Sequence, residues 1–224
     1  MSVSSEIPLT FQQKWLWDVI FANQSWRCTS TRAFRMLGPL NETILEACLQ
    51  EVCLRHGALR THIVATGGCL RQVTLGQEEH GLDRITITGT SDAEITENAG
   101  RCFEEVCDRN INPSMEPLWN SRLLKLSEHE HWLVLAMHRL IGDCVEIERI
   151  YREIKPLYST RLHDHPSPLK LPAQYSNYAV WQQQTSSDWL KRHGPYWSRH
   201  LDGATPIQWP IDDQLSVGDR KSVV

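Results

Sequence analysis

A chain of 224 residues that is 41% hydrophobic and 22% charged has the make-up of a soluble globular protein, able to bury a substantial core as one large domain or two small ones. A formal charge of −4 and the lack of a basic stripe with interleaved aromatics argue against a nucleic-acid binder. No apolar run approaches the ~20 residues that span a bilayer, and the start, Met1 to Glu6, lacks the charged and apolar regions of a secretory signal, so a cytoplasmic, non-membrane protein is expected.

Thr10 followed by Gln13 is a capping-box pattern opening a helix to about Phe21, with Phe11, Trp15, Leu16 and Val19 as its apolar stripe. A strand is predicted over 32–37, ended by Gly38-Pro39. Asn41 then caps a helix whose inner face is Ile44, Leu45, Cys48, Leu49 and Val52. Runs at 59–65 and 70–75 flank Thr66-Gly67-Gly68, a hairpin signature because paired glycines supply the positive φ of a tight turn. A short strand over 84–88 precedes a helix capped by Ser91 with Glu94, lined by Ile95, Ala99, Cys102, Phe103 and Val106.

Strands at 118–126 and 132–137 are joined by the polar turn 127–130. A helix follows from Cys144 with Ile147, Ile150, Tyr151 and Ile154 inward, and Pro156 is expected to end or kink it. A loop over 163–172 leads to two helical pieces, 175–184 and 188–201, and the chain is polar and aperiodic from Trp209. Helices alternate with strands and two hairpins make the sheet mixed, which implies an α/β sandwich.

Seven cysteines without a CxxC pair fit reduced thiols rather than a disulfide framework. Cys48, Cys53, Cys102 and Cys107 fall on or near apolar helix faces, where a thiol acts as a small hydrophobe. The tryptophans lie mostly inside periodic segments and read as packing residues. His129 with His131, and His163 with His165, could each clip a metal, but nothing supplies further ligands, so no metal is expected.

Four ordered segments carry a resemblance. The segment from Leu9 to Trp17 is similar to S-x-A-Q-x-R-L-W. Arg55 to Thr61 is similar to R-H-E-x-L-R-T, with Gly57 replacing the glutamate. Met137 to Cys144 stands in the place of M-H-H-x-x-x-D-G, and Tyr175 to Trp181 resembles Y-x-D-Y-A-V-W, with Tyr196-Trp197 and 201–204 resembling the tail. These are signature motifs of the condensation domains of nonribosomal peptide synthetases, and the resemblance covers about Pro8 to Pro210.

The resemblance implies a fold of two chloramphenicol acetyltransferase-like lobes with the site in a tunnel between them, fed with thioesters by two carrier proteins. Residues 8–208 would be the N-terminal lobe, 1–7 a tail, and 209–224 a linker towards a C-terminal lobe that is missing here. It implies no intrinsic cofactor, the phosphopantetheine being carried by the carrier proteins. It also implies that Asp143 and Arg60 form a structural pair.

The motif's second histidine is the catalytic one, and Arg139 holds its place beside His138 and Asp143. A neutral imidazole accepts a proton near neutral pH. A guanidinium offers five donors and no acceptor, so Arg139 cannot serve as the base and is expected to plug the tunnel or bond a backbone carbonyl. His138 reads as an inward-facing core histidine, and Cys144, where the pattern has glycine, as a small residue at a helix start.

The His138-Arg139 pattern with Asp143 is similar to that of X domains of glycopeptide synthetases, which recruit haem oxygenases to a carrier-bound peptide. A condensation-like docking platform without amide-forming activity, serving carrier proteins or a trans-acting monooxygenase, is therefore expected. An active amide-forming domain, in which positioning alone suffices, and a truncated remnant stand beside it as alternatives.

Overall fold

The computed structural model describes residues 7–22, 28–76, 81–167 and 169–205, and the chain forms two compact units, Met1–Gln184 and Thr185–Val224. The expected tail and linker, 1–7 and 209–224, lie outside the described residues except for Ile7.

Within the first unit, β2 (Thr29–Leu37), β7 (Glu130–His138), β6 (Trp119–Ser127) and β5 (Leu82–Thr86) form a four-stranded sheet in the order β2-β7-β6-β5. All pairs are antiparallel except β5 with β6, so the sheet is mixed as expected. The parallel pair is joined through α3 (Asp92–Asp108), as a parallel neighbour requires a crossover. A second sheet, β1-β4-β3, is built from β1 (Ile7–Pro8) and the hairpin β3 (Thr61–Thr66) and β4 (Cys69–Thr74). Its turn places Gly67 and Gly68 at φ of 58° and 76°, the left-handed region that favours glycine.

Alternation along β7 sorts the core into two layers. Leu133, Leu135 and Met137 face a large cluster with α2 (Glu42–Arg55) and α4 (Cys144–Leu162), including Leu45, Leu49, Val52, Ile147, Ile150 and Ile154. Val134 and Ala136 face a smaller cluster with Ala99 and Val106 of α3. The helix caps are those read from the sequence. Asn41 accepts the Ile44 N–H at 3.1 Å, and Ser91 accepts that of Glu94 at 3.3 Å. Cys48 and Cys53 are buried in the larger cluster, and burial pushes the Cys48 thiol up to about 11.

Several expectations need correction. Along α1 (Phe11–Ala22), Leu16 is buried but Phe11 and Trp15 are 46% and 62% exposed, and the inward place belongs to Gln13. Pro156 does not end α4, which runs on to Leu162. Leu157, the next residue, is wholly buried in the core, and that packing outweighs the lost amide donor. The two helical pieces are one helix, α5 (Tyr175–His200), because the 185–187 stretch contains neither glycine nor proline. Trp119 is a core residue, yet Trp15, Trp181, Trp189 and Trp197 stand exposed, so helical spacing misplaced them.

In the second unit the helix carries ring pairs along its own surface. Trp189 and His193 lie 4.9 Å apart between centroids, and Tyr196 stacks on His200 at 5.5 Å.

Candidate functional site

The site is built where β7 ends and α4 begins. His138 closes β7 with its N–H donated to the Leu118 carbonyl at 2.7 Å. Its ring is 1% exposed, and Nδ1 accepts the Leu140 N–H at 3.1 Å. Burial without a charged partner lowers its pKa to about 4, so the ring is neutral and tied into the turn. The expectation of a satisfied core histidine describes it.

Arg139 points the other way. Its backbone N–H donates to the Cys28 carbonyl at 2.7 Å, while its side chain is exposed and hydrogen-bonds to nothing among the described residues. It is the backbone and not the guanidinium that meets a carbonyl, which corrects the expected carbonyl bond of the side chain. The chain then folds tightly, with Ile141 N–H on the His138 carbonyl at 3.0 Å. Gly142 is required there by close approach: a Cβ would stand 2.5 Å from Met137 Sδ.

Asp143 is the N-cap of α4. Its Oδ1 accepts the Val145 N–H at 2.7 Å, and its own N–H is accepted by Glu146 Oε2 at 3.2 Å, completing a capping box. Hydrogen bonding with the Glu146 side chain, then with the Val145 N–H, holds the Asp143 carboxyl below its ordinary range, and the Arg139 charge adds to this. Cys144 is the exposed first residue of α4, as read from the sequence.

The Arg60–Asp143 pair is not formed. The Arg60 guanidinium donates to the carbonyls of Cys53 (3.1 Å), Leu54 (3.4 Å), Gly76 (2.6 Å) and Leu75, tying the end of α2 to the residues that follow β4. Carbonyls left over at a helix end satisfy the fork, and the cap satisfies Asp143, so neither needs the other.

The rest of the second motif is a latch. Arg55 Nε and His56 Nε2 both meet the Glu153 carboxylate of α4, at 3.2 and 3.1 Å. Gln174 accepts the Gly57 N–H at 2.9 Å and donates to the Arg55 carbonyl at 3.0 Å.

The first and fourth motifs hold the central one in place. Gln13, 2% exposed, accepts the Thr10 N–H at 2.9 Å and donates to the Leu140 carbonyl at 2.9 Å. Tyr175 Oη bonds Thr10 Oγ1 at 3.1 Å, and Gln183 donates to the Leu9 carbonyl at 3.0 Å. Together these elements enclose a cavity of about 360 Å³, lined by Trp15, Arg139, Asp143, Glu146 and Tyr175 among others. Sequence reading placed Gln13 in the capping box with Thr10, which forms, but not its bond to Leu140, and it missed Glu146, Glu153 and Gln174. Of the three missed residues, Glu146 had a signal, its capping-box spacing three residues after Asp143.

His163 and His165 lie 6.1 Å apart between ring centroids, and His131 is buried, with its pKa lowered by burial. Among the described residues no three His, Cys, Asp or Glu gather as a metal site, and no helix is long and apolar enough to cross a membrane.

Comparison with known proteins gives three findings. The family model described as "Condensation domain" matches residues 3–222. Cyclosporin synthetase of Tolypocladium inflatum is 30% identical over 214 residues, which are 93% of this chain and 1% of that protein. Two solved structures share the fold. The starter condensation domain of rhizomide synthetase RzmA has a TM-score of 0.80 at 17% identity, over 88% of this chain and 48% of that one. The X-domain from teicoplanin biosynthesis has a TM-score of 0.76 at 22% identity, over 90% and 44%. The chain therefore spans less than half of either solved structure, as one chloramphenicol acetyltransferase-like lobe of the usual two.

Proposed function

We propose, since this chain belongs to the condensation-domain family, that it is a condensation-like lobe of nonribosomal peptide biosynthesis that docks its partners without forming the amide bond. The partners are carrier proteins, which bring thioesters on their own phosphopantetheine, or a tailoring oxygenase acting in trans. The observation that carries the reading is Arg139. It stands where the family pattern has its catalytic histidine, on the wall of the 360 Å³ cavity, with an exposed guanidinium.

A guanidinium stays protonated and has no lone pair to offer an attacking amine. Neighbouring groups do not make up the loss. His138 is inside the protein with Nδ1 already accepting from Leu140, and a pKa near 4 makes it a weak base. Asp143 and Glu146 are engaged with each other and with the first amides of α4.

The test joins the chain to a second lobe and to two loaded carriers, and follows product by mass spectrometry beside Arg139→His. The expected result is carrier binding by both proteins, with amide formed only by Arg139→His. Amide formation by the unmodified protein at a rate near that of Arg139→His would sink the docking reading in favour of an active enzyme.

A further inference from the structure

We propose that a second cavity, of about 400 Å³ and walled by α4, the turn at 57–59 and the segment at 172–175, binds an anionic amphiphile, with an apolar body on its floor and a carboxylate at its mouth. Its volume lies in the range of small-molecule pockets, roughly 300–1,000 Å³. The floor is made by Leu59, Met137, Ile141 and Ile150, all buried residues of the larger core cluster. An apolar body laid over them is removed from water, which is the driving force for filling such a site.

The room is left by small residues. Gly57 and Ala58 add almost no bulk, and a Cβ at position 57 would stand 3.0 Å from Gln174 Oε1. Any larger residue at 57 would displace Gln174, which is itself part of the wall.

The charges around the cavity select the head group. Glu153 is paired with Arg55 and hydrogen-bonded to His56. Glu146 lies on the wall shared with the cavity beside Arg139, where it accepts the Asp143 N–H. Arg149 is not on that shared wall; it is exposed, and its guanidinium has no hydrogen bond or ion pair among the described residues. Tyr178 Oη accepts from Gln182 Nε2 at 3.1 Å, which leaves its proton available. With Glu146 occupied by the Asp143 N–H, the donors offered to a head group are the Arg149 guanidinium and the Tyr178 hydroxyl, which fit a carboxylate. The pocket stands whether or not the domain forms amides.

The test is calorimetric titration of the 224-residue chain with decanoate and with decyltrimethylammonium, each below its micelle concentration. A single saturable decanoate site is expected, about tenfold or more tighter than the cation. Arg149→Ala should bring the two probes to similar affinities. Ala58→Phe, which fills the lumen, should weaken decanoate about tenfold with the melting temperature unchanged. Ile150→Phe serves as the filling variant if Ala58→Phe does not fold. Equal affinity for the two probes, absence of saturable binding, or decanoate affinity untouched by the folded filling variant would overturn the pocket. The last two results would assign any uptake to adsorption on exposed apolar surface.

Discussion

The latch at Arg55–Thr61 and the turn at His138–Cys144 both carry motif residues, yet they direct their polar groups oppositely. In the latch, Arg55, His56, Arg60 and Thr61 all bond inward, to Glu153 or to backbone carbonyls. In the turn the backbone is held as firmly, but Arg139, Asp143 and Cys144 are exposed, and of its polar side chains His138 alone is buried. Fold-bearing residues and chemistry-bearing residues are thus separable here. A change from histidine to arginine at position 139 meets no neighbour that it must satisfy, so the fold imposes no cost on it.

That contrast can be broken by mutation, most severely at the latch. Glu153→Ala leaves Arg55 and His56 half-buried without their shared carboxylate and is expected to cost about 3 kcal/mol, read by urea denaturation. A loss below about 1 kcal/mol would mean that the latch is no more than a surface ion pair.

The next effect belongs to His138 and is a pH dependence. Its folded pKa, about 4, lies below its unfolded value near 6.5, so the unfolded chain binds the proton first as the pH falls. Stability from this group is complete above pH 6.5, declines between 6.5 and 4 by at most about 1.4 kcal/mol per pH unit, and is constant below. His131, also lowered by burial, acts in the same direction. His138→Asn keeps an acceptor for the Leu140 N–H but cannot titrate. Denaturation of the two proteins at several pH values should show a shallower slope for the variant, and identical slopes would remove His138 from the account.

The smallest effects belong to the exposed side of the turn. Asp143→Ala removes an N-cap and is expected to cost about 1 kcal/mol. Arg139→Ala is expected to stay within about 0.5 kcal/mol, as for a surface residue whose side chain makes no hydrogen bond. Thermal melts of the pair sharpen the comparison, since equal losses would mean that Arg139 is structurally engaged after all.

Local chemistry was legible in the sequence. Caps at Thr10, Asn41 and Ser91, the Gly67-Gly68 turn and the mixed strand order are short-range signals, and each has its local cause in the structure. Pairings across the chain were not legible. Gln13 reads as the capping-box partner of Thr10, but its second bond, to the carbonyl of Leu140, 127 positions away, has no trace in the sequence. The Arg60–Asp143 pair failed for the same reason. Each residue found nearer partners, carbonyls for one and a helix end for the other, that a one-dimensional reading does not weigh. Arg139 was legible because its consequence lies in what a guanidinium is, and its exposure was not, because that depends on what surrounds it.

The bonds from the first motif also set an order of assembly. Gln13 waits for Leu140, Thr10 for Tyr175 and Leu9 for Gln183, separations of 127, 165 and 174 residues. Contacts so distant along the chain close late, after the helices and hairpins that form from neighbours. On the ribosome, the helix that walls the cavity beside Arg139 is made before the other walls and seated among the last. The site is therefore completed by its oldest segment, and a chain cut short before Gln183 would leave that segment without its final anchor.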